Sequence, residues 1–242
     1  PEQALGFRLQ AYGLIRHSDM FTPRQLLTLA EFCRVANEVY SVVNEHAQES
    51  GRTEEYARAV TTYLALTPSK AVRFISTLSF WRADENKLAR GFARQTVSMT
   101  WDFAETNPFA DSGGDFEGLV NGTADALEKF APYQQGHVSQ HDAALPLNVP
   151  THQTVISTDP PYYDNVPYAD LSDIFYVWLR FSLKPLYPNL FETILVPKTQ
   201  EMIAEPYRQG GIENAQAFFE TSLRTAFTNI RRVHTDVYPL TV

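Results

Sequence analysis

Cysteine is almost missing from this sequence, since Cys33 is the only one among its 242 residues. A single thiol excludes an internal disulfide, and with it the class of small secreted domains held together by disulfides. Cys33 lies at helical spacing from Leu29, Phe32 and Ala36, a pattern typical of a buried structural thiol rather than a nucleophile. We therefore expect a cytoplasmic protein.

Long apolar runs are missing as well. No stretch approaches the roughly 18 apolar residues that a membrane span needs, and residues 1–10 lack the basic and apolar regions of a signal peptide. The six histidines show no metal-ligand spacing, since His137 and His141 lie in a polar segment without a nearby cysteine. We expect neither a membrane partner nor a bound metal.

Positive charge is scarce: 20 Lys and Arg residues face 28 Asp and Glu residues, for a formal net charge of −8. A free-standing nucleic-acid-binding module is usually basic, because phosphate contacts supply much of its affinity. The chain is therefore not expected to bind DNA by itself, although an enzyme that handles DNA with the help of other domains is compatible with this charge. The absence of an initiator Met predicts a fragment of a longer protein.

Residues 1–106 are predicted to form a helical region. TPRQ at 22–25 combines a capping threonine, a proline suited to the first helical position and a glutamine that completes a capping box. Apolar residues then recur on one broad helical face. A second helix is predicted over 54–66, ending before a proline, and a third over 69–79. The stretch 82–95 reads as a charged turn that leads into a short helix.

The composition changes twice further along the chain. Residues 107–150 are rich in glycine, acidic residues and proline, which predicts a loop-rich connection with one short helix over 119–130. Residues 151–242 are predicted to form a partial α/β region. These boundaries divide the chain into three parts.

The order of elements within the last part indicates a parallel sheet. HQTVIST at 152–158 predicts a short buried strand, 171–183 and 212–233 predict helices, and YPLTV at 238–242 begins a second strand. This order is typical of a parallel α/β sheet. Two strands do not complete a doubly wound domain. We expect an α/β fold that is predominantly helical, with a truncated, partial Rossmann-like sheet.

Asp159, Pro160, Pro161 and Tyr162 follow the first of these strands, at the end where functional groups gather in open α/β sheets. Two prolines stiffen the loop and donate no N–H, so its carbonyls stay free as acceptors. The Asp159 carboxylate and the Pro160 carbonyl can accept the two N–H groups of a planar amine while Tyr162 stacks on its ring. Acceptors on both N–H groups favour a pyramidal nitrogen that attacks an electrophilic methyl group. A plain turn is the alternative.

Four segments together resemble large adenine-specific DNA methylases, a family of amino-methyltransferases. The resemblance covers nearly the whole chain and implies that Asp159, Pro160, Pro161 and Tyr162 are the catalytic tetrad, that S-adenosylmethionine is the cofactor and that DNA is the partner. It also implies that the partial sheet is a piece of a Rossmann-like methyltransferase domain. The segments that carry the resemblance are FTPRQLL from Phe21, ARQTVSMTWDFAETNPF from Ala93, TDPPYYDNVPYADLSDIFYVWLR from Thr158 and EPYRQGGIENAQAFF from Glu205.

The chain departs from the family in lacking its Gly-rich cofactor loop, since its 11 glycines contain no Gly-x-Gly. We therefore expect an internal fragment of a methyltransferase that is inactive by itself and has no identified cofactor-binding residue. Apolar surface left exposed where further strands would pack can drive the fragment into a homodimer.

Several alternatives remain open. Cytosine 4-amino methylation uses the same geometry, and the tetrad does not choose between the two bases. A non-catalytic helical interaction or DNA-positioning module is the second class of function. Tyr163 and Asp164 are predicted either to shape the substrate pocket or to form a solvated loop. Trp101 and Asn107 are interpreted as a core tryptophan and a loop residue, and the aromatic residues of 168–178 as packing a helix onto the sheet.

Overall fold

The computed structural model describes residues 4, 6–93, 96–130, 136–147, 154–235 and 237–242. The chain divides into two compact units. Unit 1 comprises the described residues within Gly6–Pro132 and Tyr168–Val196, and unit 2 comprises Ala4 and the described residues within Tyr133–Pro167 and Pro197–Val242. The three-part division predicted from the sequence stays a prediction, and its boundary at 150/151 falls outside the described residues.

Unit 1 is built mainly from helices. Its first long helix begins with the predicted capping box: the Gln25 amide donates to Thr22 Oγ1 over 3.2 Å, and Gln25 Oε1 accepts from the Thr22 amide over 2.9 Å. This local exchange satisfies two groups that a helix start leaves open. The helices of unit 1 are α1 (Pro23–Glu49), α2 (Glu54–Ala71), α3 (Phe116–Lys129) and α4 (Tyr168–Leu183), preceded by short 3₁₀ turns at Leu9–Tyr12 and His17–Met20.

The predicted break before Pro68 is wrong, because α2 continues through this proline to Ala71. Pro68 and its neighbours Thr67 and Ser69 are buried, and the Pro68 carbonyl still accepts from the Val72 amide over 3.2 Å. Burial of this turn outweighs the hydrogen bond that proline cannot donate. The predicted third helix over 69–79 is also wrong, since the chain after α2 forms consecutive turns.

The charged stretch that begins at Arg82 belongs to a hairpin, whereas the sequence predicts a turn and a short helix over 82–95. Residues 94–95 of this stretch lie outside the described residues. Strands β1 (Phe80–Arg82) and β2 (Lys87–Ala89) pair antiparallel, with Trp81 opposite Leu88. Asn86 closes the connection with φ of +48°, a left-handed conformation that asparagine tolerates better than most residues. The pairing of the two strands, which no local sequence pattern predicts, therefore overrides the weak helical tendency of this stretch.

The core of unit 1 joins α4 to the first two helices. Cys33 is fully buried beside Leu29 and Val72, as predicted, and Trp178 of α4 belongs to the same cluster. The rings of Phe21 and Trp178 meet edge to face with centroids 5.6 Å apart. The prediction that the aromatic residues of α4 pack the helix onto a sheet is therefore wrong for Trp178, which packs among helices.

Unit 2 contains the predicted parallel strands in shortened form. Strand β3 (Ile156–Ser157) pairs parallel with β4 (Leu240–Thr241), while positions 152 and 153 of the predicted strand lie outside the described residues. Helices α5 (Pro206–Gln209) and α6 (Ile212–Val233) lie between the two strands in sequence, and α6 has the predicted bounds. The core of this unit is a small cluster of Ala204, Ala215, Phe219 and Leu223.

The described residues are thus predominantly helical, with two small two-stranded sheets. Among them, none of the helices combines the length and the apolar character that crossing a membrane requires.

Candidate functional site

The end of β3 is fixed by its partner strand. The Thr158 amide donates to the Thr241 carbonyl over 3.0 Å, and the Thr158 hydroxyl donates to the same oxygen over 3.2 Å. The chain then leaves the sheet, and residues 159–162 form the loop at the carboxyl end of β3, where the sequence predicts it. This is the edge at which open α/β sheets place their functional groups.

The two outer residues of this loop contact each other. The Tyr162 hydroxyl donates to Asp159 Oδ1 over 2.9 Å, and both side chains are exposed, Tyr162 by 59% of its surface. Within the described part of the chain, Asp159 Oδ2 and the carbonyl oxygens of Pro160 and Pro161 accept no hydrogen bond. The loop therefore presents several open acceptors beside an accessible aromatic ring.

The next two residues behave differently from each other. Tyr163 adopts φ of +54°, its carbonyl accepts from the Ala204 amide over 3.0 Å, and its ring meets Phe219 edge to face at 5.2 Å. This residue therefore anchors the loop to the core of unit 2. Asp164 is exposed. Their predicted roles toward a substrate stay predictions.

The described residues do not fit S-adenosylmethionine. The loop after β3 carries two prolines, and the Gly210-Gly211 pair stands between two helices instead of after a strand. A Gly-rich turn that lets the backbone approach a nucleotide at a strand end is therefore missing from the described part of the chain. Over the same residues, no group of three His, Cys, Asp or Glu side chains is placed to hold a metal ion.

Two of the segments that carry the family resemblance meet in unit 1. Glu105 accepts from the Thr22 hydroxyl over 2.7 Å and pairs with Arg24 over 2.5 Å, and both contacts hold the pKa of its carboxyl below the ordinary value. The prediction of a core tryptophan is wrong, because Trp101 is 81% exposed. Asn107 Oδ1 accepts from the Phe109 amide over 3.0 Å, a local turn contact.

A groove of about 970 Å³ lies in unit 1 beside the β1–β2 hairpin, and the sequence reasoning missed it. Its cationic residues include Arg73 and Arg90, and its aromatic residues Phe80 and Trp81. The available signal was the pair of adjacent aromatic residues, Phe80 and Trp81, beside a charged stretch. Large apolar side chains that are exposed together mark a candidate binding surface.

No protein-family model matches this chain, and comparisons with curated proteins and with solved structures find no match either. The geometry of its own residues is therefore the basis for a functional interpretation.

Proposed function

We propose that this chain forms part of an S-adenosylmethionine-dependent DNA methyltransferase that acts on the exocyclic amino group of adenine. The observation that carries the proposal is the Asp159–Tyr162 loop. It lies at the carboxyl end of a strand in a parallel pair, with its carboxylate and ring exposed and hydrogen-bonded to each other over 2.9 Å. The exposed carboxylate and ring are accessible to a substrate at the edge where open α/β sheets place their functional groups.

In the proposed role, the residues of the loop bind and polarise the target amine. Asp159 Oδ2 accepts one N–H group and the Pro160 carbonyl accepts the other, since both are open acceptors among the described residues. The Tyr162 ring, held by its hydroxyl, stacks on the base once the base has left the duplex. The fixed φ of the two prolines holds these groups in place before the substrate arrives.

The methyl donor needs residues that the described structure does not supply. We place the Gly-rich turn and the acidic ribose partner in segments of a longer protein, and expect the 242-residue chain alone to be inactive and unable to bind S-adenosylmethionine. The compartment that suits such an enzyme is the cytoplasm, and exposed sheet surface in the fragment would favour a homodimer.

Two alternatives have specific support. Cytosine 4-amino methylation places the same demands on Asp159 and Pro160, since both bases present an exocyclic amine. A non-catalytic module is favoured by the net charge of −8 and by the missing Gly-rich turn. Identification of the product separates all three.

The test uses the full-length protein, unmethylated DNA and tritiated S-adenosylmethionine, followed by digestion of the DNA to nucleosides and chromatography. Label in N6-methyldeoxyadenosine is expected. Label in N4-methyldeoxycytidine would replace adenine with cytosine in the proposal. Protein that binds DNA but incorporates no label into any base, under conditions where a known adenine methyltransferase does, would support the non-catalytic module.

A further inference from the structure

Two arginines are held next to each other at the groove of unit 1. The Gly91 amide donates to the Arg73 carbonyl over 2.8 Å, which brings the backbone of Arg73 beside that of the residue following Arg90. The Arg90 guanidinium lies over the Phe74 ring, 5.6 Å from its centroid. A cation over an aromatic face is partly stabilised by the ring but keeps its full charge.

Neither of these arginines has an acidic partner within the described part of the chain, whereas the neighbouring charges do. Arg82 pairs with Asp84 over 2.9 Å and also with Glu85, which in turn pairs with Lys87. Glu105, the acid at the same groove, is engaged by Arg24. Burial, and then the nearby charge of Arg90, lower the pKa of Arg73 from its ordinary value. Arg73 and Arg90 thus line one groove as like charges without an acidic partner among the described residues, an arrangement that favours binding of an anion.

Aromatic side chains lie beside these charges. Phe80 and Trp81 of β1 line the groove and are 41% and 54% exposed. Exposed aromatic residues next to uncompensated arginines are the combination with which proteins bind single-stranded nucleic acids, because bases stack on the rings while the arginines bind the phosphates. The groove volume of about 970 Å³ far exceeds what a lone phosphate ion fills and suits a ligand with rings.

We propose that this groove binds a single-stranded segment of DNA, with a phosphate between Arg73 and Arg90 and a base against Trp81. The choice of DNA as the polymer rests on the proposed function. The groove is a second contact with that substrate, made by residues outside the Asp159–Tyr162 loop. It gives an acidic chain one local surface with the charge and the rings that a nucleic acid requires.

The test measures fluorescence anisotropy of a labelled oligothymidylate about 12 nucleotides long, a length within the range of about 4–16 nucleotides that such grooves occupy. It uses the 242-residue chain at low salt. The double variant Arg73→Gln/Arg90→Gln should weaken binding about tenfold or more, and flatten the dependence of log affinity on log salt by roughly 0.7 for each phosphate that is no longer bound. Trp81→Ala should weaken binding at least about fivefold, because stacking on one ring is removed.

Arg52→Gln is the matched control. Arg52 is exposed and lies over the Tyr56 ring at 4.2 Å, so this variant removes a charge from a similar arrangement outside the groove. Its affinity should stay within about twofold of the parent chain once the general effect of one charge is allowed for. Thermal melts should show that all four proteins fold, since the substituted side chains are exposed or half-buried.

Three results would overturn the proposal. The first is that the parent chain does not bind the oligothymidylate, and the second is that Arg52→Gln loses as much affinity as the groove variants. The third is that heparin competes with the oligothymidylate, while Trp81→Ala changes neither this competition nor the affinity for oligothymidylate. The last result would mark a simple anion site. Failure of the proposed function is distinguishable, because methyl transfer by the full-length protein and oligothymidylate binding by the 242-residue chain are separate measurements. A groove that binds DNA in a protein that transfers no methyl group would support the inference and refute the enzyme.

Discussion

The Tyr162 hydroxyl and Asp159 Oδ1 are joined by a hydrogen bond of 2.9 Å that spans the two prolines between them. Prolines cannot donate N–H groups to stabilise such a turn, and this side-chain contact links the two ends of the loop. It also orients the carboxylate: Oδ1 accepts from the tyrosine, and Oδ2 stays open among the described residues. The pair thus combines a fixed ring with a directed acceptor.

Asp159→Ala is expected to remove most methyl transfer by the full-length protein and leave the fold intact. Loss of one preorganised electrostatic group costs about 10²–10³ in rate, and Asp159 is exposed, so its removal does not disturb the core. The measurement is tritiated methyl transfer to unmethylated DNA, with Glu128→Gln on the exposed face of α3 as a control for loss of an acid. Near-normal transfer by Asp159→Ala would refute the assigned role.

Tyr162→Phe and Tyr162→Ala are expected to differ. The phenylalanine variant keeps the stacking ring and loses one exposed hydrogen bond to Asp159, worth about 0.5–1.5 kcal/mol, so transfer should fall by no more than about tenfold. The alanine variant also loses stacking worth roughly 1–3 kcal/mol, and should show weaker capture of the base in addition to a lower rate. Equal effects of the two substitutions would show that the ring has no part in binding.

Local patterns predicted some elements accurately and failed where distant residues decide the structure. The α1 cap and the bounds of α6 depend on neighbouring residues, and the sequence shows both. The helical conformation at Pro68 is not predictable from local propensity, because the burial of its turn keeps it helical. The proximity of Arg73 to Arg90 comes from a backbone contact between separate turns, which no spacing in the sequence reveals.

The adjacent glycines of the 111–114 loop offer a matched pair for stability. Gly114 has φ of +100°, and a Cβ there would lie 2.7 Å from Phe74 Cδ1, whereas a Cβ on Gly113 would meet nothing within 4 Å. Gly114→Ala should therefore lower the free energy of unfolding by more than about 1 kcal/mol. Gly113→Ala should change it little or raise it by about 0.4–1 kcal/mol. Urea denaturation measures both, and equal values would contradict the close approach of Gly114 to Phe74.

Thr22→Ala is expected to lower the free energy of unfolding by about 1 kcal/mol, the usual cost of removing a helix cap. Thr53→Ala is the control, since Thr53 precedes α2 but makes no side-chain capping bond.

Thr22 also donates to Glu105, whose pKa is lowered by Thr22 and Arg24. A carboxyl with a lowered folded pKa stabilises the fold above its unfolded pKa and loses that effect as the pH falls. The loss of stability caused by Thr22→Ala should therefore shrink in acid, and a loss that grows would contradict the Thr22–Glu105 contact.

Burial raises the pKa of the Cys33 thiol to about 11 from an ordinary value of 9.0, an effect that the neighbouring Ser182 only partly opposes. The folded state therefore holds this proton more tightly than the unfolded state does. Its contribution to stability is complete below about pH 9 and is lost as the pH rises toward 11, since the unfolded thiol ionises first. A difference of two pKa units corresponds to about 3 kcal/mol.

Cys33→Ala removes this proton linkage, so it supplies the test. At pH 8 the variant should be less stable than the parent chain, because it leaves space in the core that contains Leu29 and Trp178. Between pH 9 and 11 the parent should lose stability faster, and the gap between the two should narrow by as much as about 3 kcal/mol. Other titrating groups are common to both proteins and cancel in the comparison. Urea denaturation at a series of pH values measures the gap, and a constant gap would show that the Cys33 thiol ionises as readily in the folded chain as in the unfolded one.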